Sequence, residues 1–193
     1  MSRVPSRGTS LETVLDGYQP VSDVEAQDVG RIRELAAVGD PWARSSPLHV
    51  TGSAVVVHPP TRRVLLRWHD RMQRWLHVGG HAGTGETSAF DVALREGWEE
   101  TSLPDLSPWP DGARPRLVHV VVVPVPAGHG EPEHEHADLR YLLATGRPED
   151  AIAETAAARL RWLSIADAMA AVAEDNLRVT LERVAKIVAE HTN

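Results

Sequence analysis

The sequence predicts an α/β or α+β sandwich, and three observations carry that prediction. Strand-like runs bracket a central helical segment, a second long helical pattern closes the chain, and 193 residues at 42% hydrophobic content suffice for one core. Residues 1 to 9 read as a disordered arm. SLETVLDGYQP and VSDVEAQDVGRIRELAAVGDP then read as two short helices, the second ended by the Gly39-Asp40-Pro41 breaker. From His49 the pattern turns to strands: HVTGSAVVVH, the turn Pro59-Pro60-Thr61, and RRVLLRWH as the return strand of a hairpin. A third strand, RWLHV, leads into Gly79-Gly80 and the glycine-bearing loop GGHAGTGE, which feeds a helix from about Ser88 to Thr101. The proline-rich loop PDLSPWPDGARPR follows. LVHVVVVPVPA and EHADLRYLLAT are the next strands, separated by the turn-rich AGHGEPEH. A short strand, RLRWLS, and the helix DNLRVTLERVAKIVAEH end the chain, with Leu177, Leu181, Val184 and Val188 as that helix's buried stripe. This divides the chain into a helical extension over 1–47 and a main domain over 48–193.

Composition narrows the function. No apolar run approaches the roughly 20 residues that a membrane span needs, and MSRVPSRGTS has no apolar signal core, so the expected location is the cytoplasm. With no cysteine, disulfides, thiolate metal sites and cysteine nucleophiles are all excluded. A formal charge of -7, without clustered Lys and Arg in the sequence, argues against nucleic-acid polymers and anionic membranes as partners. A polyanionic small molecule would need a metal cation to bridge it.

The central helix carries the chemistry. At 100° per residue, Phe90, Ala93, Leu94, Gly97 and Thr101 share one face, while Glu96, Glu99 and Glu100 fall on an arc of roughly 100° opposite, with Arg95 at its edge. Gly97 lies on the buried face, where a missing side chain lets the helix approach the sheet and offsets part of its roughly 1 kcal/mol propensity cost. Ser88 with Asp91 forms a capping-box variant that fixes the helix start. Taken alone, three glutamates on one arc are a solvated acidic face. The upstream GGHAGTGE changes that reading, because it adds a backbone-accessible loop and a fourth carboxylate, Glu86. Oxygen ligands of this kind suit Mg²⁺ or Mn²⁺.

GGHAGTGETSAFDVALREGWEETSL, through Gly80, Glu86, Arg95, Glu96, Glu99 and Glu100, resembles the Nudix box of the Nudix (MutT-like) hydrolases, G-x5-E-x7-R-E-U-x-E-E-x-G-U with U apolar. The interval from Glu86 to Arg95 holds one residue more than that pattern, U is Gly97, and the last glycine is Ser102. The resemblance implies a Nudix-type α/β/α sandwich with a mixed sheet over about 48 to 190. It implies hydrolysis of a diphosphate bond in a nucleoside diphosphate linked to another moiety: a nucleoside triphosphate, sugar nucleotide or dinucleotide. Glu96, Glu99, Glu100 and the Gly79 carbonyl would hold the Mg²⁺ or Mn²⁺, with Glu96 a ligand or the base acting on water. Arg95 would orient the glutamates, and Gly80, His81 and Glu86 would support substrate binding. The alternative is a catalytically silent domain acting as a nucleotide or metabolite sensor. An isomerase of the same fold is disfavoured, since the metal-dependent type uses a cysteine.

Outside the box, His134, His136 and Asp138 alternate on a strand and so share one face, where they are either metal ligands or an outer polar surface. Glu131, Glu133 and Glu135 are alternates for a late base or ligand, and His77 flanks the double glycine. Trp68, Trp75 and Trp98 are read as packing before nucleobase stacking. The N-terminal helices are left two roles, capping the site or building a homodimer interface.

Overall fold

The computed structural model describes residues 9–128 and 130–192, so the arm reading for the first eight residues lies outside the described residues. Two helices come first, α1 (Leu11–Asp16) and α2 (Asp23–Val38), each begun by a serine whose hydroxyl accepts a first-turn N–H. They are followed by strands β1 (Leu48–His58), β2 (Arg63–His69), β3 (Arg74–Leu76) and β4 (Val78–His81), then helix α3 (Ala89–Thr101). Next come β5 (Ser107–Pro108), β6 (Arg116–Val125), β7 (His134–Ala144), β8 (Leu160–Ser164), α4 (Ile165–Ala171) and α5 (Asp175–His191).

β1 is the spine of an eight-stranded mixed sheet. One edge of it runs parallel to β7, from Leu48 beside Glu135 to Val57 beside Ala144. Its other edge is shared: the first half pairs antiparallel with β4 and the last residues with β2, which carries β3 and β8 in turn. β6 and the two-residue β5 line the far edge of β7.

Helices cover both faces. Val50, Ala54 and Val56 of β1 pack with Leu15, Ile32, Ala93 and the other buried residues of α1, α2 and α3. Val55 and Val57 face the opposite way, onto Leu177, Leu181, Val184 and Val188 of α5 and Ala168 of α4. Burial on both sides explains why the end of β1 reads as an unbroken AVVV run rather than an alternation. α2 also protects an edge: the Asp28 carboxylate accepts the Val122 N–H of β6 at 2.9 Å, and Arg183 of α5 reaches Glu25 of α2 at 2.7 Å.

Two sequence expectations change here. Gly79, Gly80 and His81 belong to strand β4 and not to the loop, because they complete the antiparallel ladder against Thr51, Gly52 and Ser53. Gly97 is not what brings α3 close to the sheet. A Cβ there would meet Leu106 Cδ1 at 3.1 Å, whereas a Cβ on Gly52 of β1 would fall 2.9 Å from Val92 Cβ and 3.0 Å from Ala93 N, inside the helix backbone. The close approach is therefore set by Gly52. Helix α4 and the short β5 are too brief to give a periodic signal in the sequence.

Candidate active site

The Ser88 hydroxyl accepts the Asp91 N–H at 3.3 Å, which fixes the start of α3 and so the rotation of every residue after it. That rotation puts Glu96 behind Gly80, where a Cβ would lie 2.5 Å from the Glu96 carboxyl carbon. Only glycine lets the strand and that carboxylate sit together. Glu100, buried at 8% exposure, accepts the Gly79 N–H at 3.1 Å and faces Arg67 Nε at 3.2 Å.

Arg95 is the hub of the remaining carboxylates. Its Nε donates to Glu86 at 3.0 Å, Nη1 to Glu96 at 2.8 Å and Glu99 at 2.9 Å, and Nη2 to Glu86 at 2.9 Å and the His81 carbonyl at 2.8 Å. All five guanidinium hydrogens are thereby engaged in a planar fork, which a lysine could not reproduce. Glu86 also accepts the Gly83 N–H at 2.7 Å, tying down the loop. Despite the extra residue between Glu86 and Arg95, Glu86 still reaches its partner.

The charges do not balance. Glu86, Glu96, Glu99 and Glu100 face the guanidinium groups of Arg95 and Arg67, and Arg67 is shared with Glu154 at 3.6 Å. When all four are ionised, four negative charges face two positive ones, a surplus that a divalent cation would offset. Burial pushes the Glu100 carboxyl up to about 7, only partly opposed by Arg67 and the Gly79 N–H. Burial raises Glu96 as well, against the pull of Arg95, whereas the hydrogen bonds from Arg95 hold Glu86 below its usual range.

Beside these carboxylates opens a cleft of about 600 Å³. Glu100, Gly79, Gly80 and His81 line it, together with Arg44, Arg67, Arg71, Arg74 and Arg140. Glu86, Arg95, Glu96 and Glu99 stand outside that lining. The sequence scatters its cations, and the fold gathers five arginines from positions 44 to 140; no spacing rule could have found them. No tryptophan and no residue of α1 or α2 lines the cleft among the described residues. Trp68 and Trp75 instead pack edge to face, with Arg159 and Arg161 over their rings.

Asp138 is fully occupied in hydrogen bonding. It accepts from Thr51, Ser53, His77 and Arg140, the last at 2.8 Å. Burial alone would raise its carboxyl, yet Arg140, His77 and Ser53 hold it well below the ordinary range. His134 and His136 do share a face, and they are joined there by His49 of β1 and His81 of β4. His49 carries no signal of its own in the sequence; in HVTGS it alternates with Thr51 and Ser53, which line the cleft, while His49 itself is buried. Glu131 pairs with Arg71 and Arg44 on the rim, and Glu135 pairs with Arg31.

A family model for the NUDIX domain matches residues 48–184. The chain belongs to the Nudix family. Its fold is also that of solved Nudix enzymes and their structural kin. A C. elegans Ap4A hydrolase superposes with TM-score 0.56 at 16% identity, covering 73% of this chain and 98% of that one. The E. coli dihydroneopterin triphosphate pyrophosphohydrolase gives 0.53 at 19% identity over 73% and 96%. A NUDIX-family hydrolase from Clostridium perfringens gives 0.53 at 22% identity over 74% and 97%. No curated protein matches the chain. It is a Nudix-type pyrophosphohydrolase with an α/β/α sandwich, and among the described residues no helix is long and apolar enough to cross a membrane.

Proposed function

We propose that this Nudix enzyme hydrolyses a diphosphate bond in a nucleoside diphosphate linked to another moiety, using Mg²⁺ or Mn²⁺, within residues 48–193. The observation that carries the reading is the surplus of carboxylate over guanidinium groups on and beside α3, with Glu96 packed behind Gly80 and Glu100 bonded to Gly79 and reaching the wall of an arginine-lined cleft. Glu96, Glu99, Glu100 and the Gly79 carbonyl are the groups that would hold the ion, an all-oxygen set suited to a hard cation. Such an ion, when bound, supplies neutralisation of phosphoryl oxygens and a lowered pKa for water.

The chain's own residues supply the rest. Arg95 orients Glu86, Glu96 and Glu99 through its fork and ties them to the backbone of β4 at His81, so that the donor set is ordered before substrate arrives. Glu96 is assigned as the base: it is half-buried, and burial raises its carboxyl, which favours accepting a proton from the attacking water. Arg67, Arg71 and Arg44 give the cleft positive charge to attract the diphosphate, with Gly80 leaving room for close backbone approach and His81 and Glu86 shaping the approach to it. Helices α1 and α2 of the 1–47 extension pack their buried residues against the α3 side of the sheet and hold the edge of β6 through Asp28.

The test is product formation from a panel of nucleoside triphosphates, sugar nucleotides and dinucleotides with Mg²⁺ or Mn²⁺. Ap4A and dihydroneopterin triphosphate, named for two of the structural neighbours, belong in it. Metal-dependent turnover of one class, absent in Glu100→Gln, supports the reading. Turnover that survives both chelation and Glu100→Gln would overturn it.

A further inference from the structure

Four histidines meet at the ends of three adjacent strands. His49 and His136 are neighbours in the parallel β1–β7 ladder, and His81 stands opposite Thr51 on the other edge of β1. Their Nε2 atoms form a chain: His49 to His81, His81 to His136 and His136 to His134, each 3.1 Å apart. One ligand atom from each of His49, His81 and His136 lies within 4.8 Å of the others.

Hydrogen bonding within the cluster cannot account for this convergence. His49 Nδ1 lies 2.9 Å from the Ser46 carbonyl and His134 Nδ1 lies 2.9 Å from the Pro132 carbonyl. A carbonyl only accepts, so both rings carry hydrogen on Nδ1 and as neutral imidazoles present a bare Nε2. Along the chain, each Nε2 is either a donor with one hydrogen or an acceptor with one lone pair. Donors and acceptors must therefore alternate, and alternation over four nitrogens provides two hydrogens for three contacts. No protonation state satisfies them all. A cation set among the lone pairs removes the conflict.

We propose that His49, His81 and His136, with His134 at the fourth position, form a second metal site for a borderline divalent cation of the Zn²⁺ class. Tetrahedral Zn²⁺ with bonds of about 2.0–2.1 Å spaces its nitrogen ligands about 3.3–3.4 Å apart, close to the three 3.1 Å contacts; His134 lies outside the three whose ligand atoms all fall within 4.8 Å, so its ring would swing in to complete the set. Imidazole without thiolate or carboxylate suits Zn²⁺, Ni²⁺ or Cu²⁺ and not Mg²⁺, so the two sites would select different ions. The Ser46 and Pro132 carbonyls act as outer partners that fix tautomer and ring orientation, an arrangement that metal-binding imidazoles ordinarily have. His49 is buried, and the other three rings line the same cleft as Glu100, so the ion would pin β1, β4 and β7 together and add positive charge to the cleft wall. Because the Arg95 guanidinium bonds the His81 carbonyl, the same strand residue belongs to both clusters. The inference does not depend on the hydrolase reading.

The experiment is calorimetric titration of metal-stripped protein with Zn²⁺ near neutral pH, for wild type, Glu100→Gln, His81→Gln and His136→Gln, each checked for folding by circular dichroism. One tight Zn²⁺ per chain is expected, surviving Glu100→Gln and weakened at least ~100-fold in either histidine variant. The Co²⁺-loaded protein should show the intense visible bands of four-coordinate nitrogen ligation. Folded wild type that takes up no Zn²⁺ would overturn the proposal. So would Zn²⁺ binding that both histidine variants keep and Glu100→Gln abolishes, since the ion would then belong to the acidic face.

Discussion

The carboxylate cluster on α3 and the histidine cluster at the strand ends are built in opposite ways. Glu96, Glu99 and Glu100 follow one another on a single helix; one arginine fork holds Glu96, Glu99 and Glu86, while Glu100 is held by the Gly79 N–H and faces Arg67. His49, His81, His134 and His136 come from three strands and are held by sheet register and two backbone carbonyls. Local spacing thus creates the first cluster and tertiary structure the second. The oxygen set suits a hard cation and the nitrogen set a borderline one.

The strongest way to break this distinction is Glu100→Gln. The amide keeps an acceptor for the Gly79 N–H, so the variant should retain its melting temperature while turnover falls on the order of 10²–10³-fold, as the loss of several kcal/mol of charge stabilisation requires. Thermal melts alongside kcat measurements decide it; a variant that unfolds would make the carboxylate structural. Arg95→Ala comes next. Loss of the fork frees Glu86, Glu96, Glu99 and the His81 carbonyl together, and misplacement of that order should cost about 10²-fold in kcat/KM. An unchanged rate would show that the glutamates orient themselves.

Legibility follows the same division. The REGWEE face, its cap at Ser88 and an α/β or α+β sandwich were readable, because helical periodicity and apolar runs are properties of contiguous residues; the α/β/α layering followed from the resemblance to the Nudix box. The alternation of His134, His136 and Asp138 placed those three on one face, yet it could not reveal that Asp138 is consumed by Arg140, Thr51 and Ser53. His49 and the five cleft arginines carried no local signal: pairing of β1 with β4 and β7 brings His49 to its partners, and the arginines converge from β2, β3, β7 and the segments before β1 and between β2 and β3. Gly97 was credited with a close approach that belongs to Gly52, because a wheel shows which residues face the sheet and not which sheet residue opposes them.

Smaller effects sharpen the picture. In Gly80→Ala the new methyl meets the end of the Glu96 side chain, which can swing away, so activity should fall about tenfold with little change in melting temperature. A large loss of stability instead would mean that the strand, and not the carboxylate, gives way.

The smallest effect concerns a histidine outside both clusters. Burial holds His119 down to about 3, with Arg140 and Arg183 adding to the shift, and its Nδ1 lies 2.8 Å from Thr180 Oγ1. A depressed folded value means the stabilisation is complete above the unfolded value of 6.5 and is lost as pH falls from there toward 3. Melting temperature should accordingly decline below about pH 6.5, and His119→Gln should flatten that decline. An equal slope in wild type and variant would remove His119 from the account.

The central claim is that the acidic face of α3 holds the hard divalent ion. Electron paramagnetic resonance of Mn²⁺ titrated into wild type, Glu100→Gln and His136→Gln tests it most directly. The account predicts bound Mn²⁺ in wild type and His136→Gln and its loss in Glu100→Gln. Mn²⁺ retained by Glu100→Gln and lost from His136→Gln would contradict it.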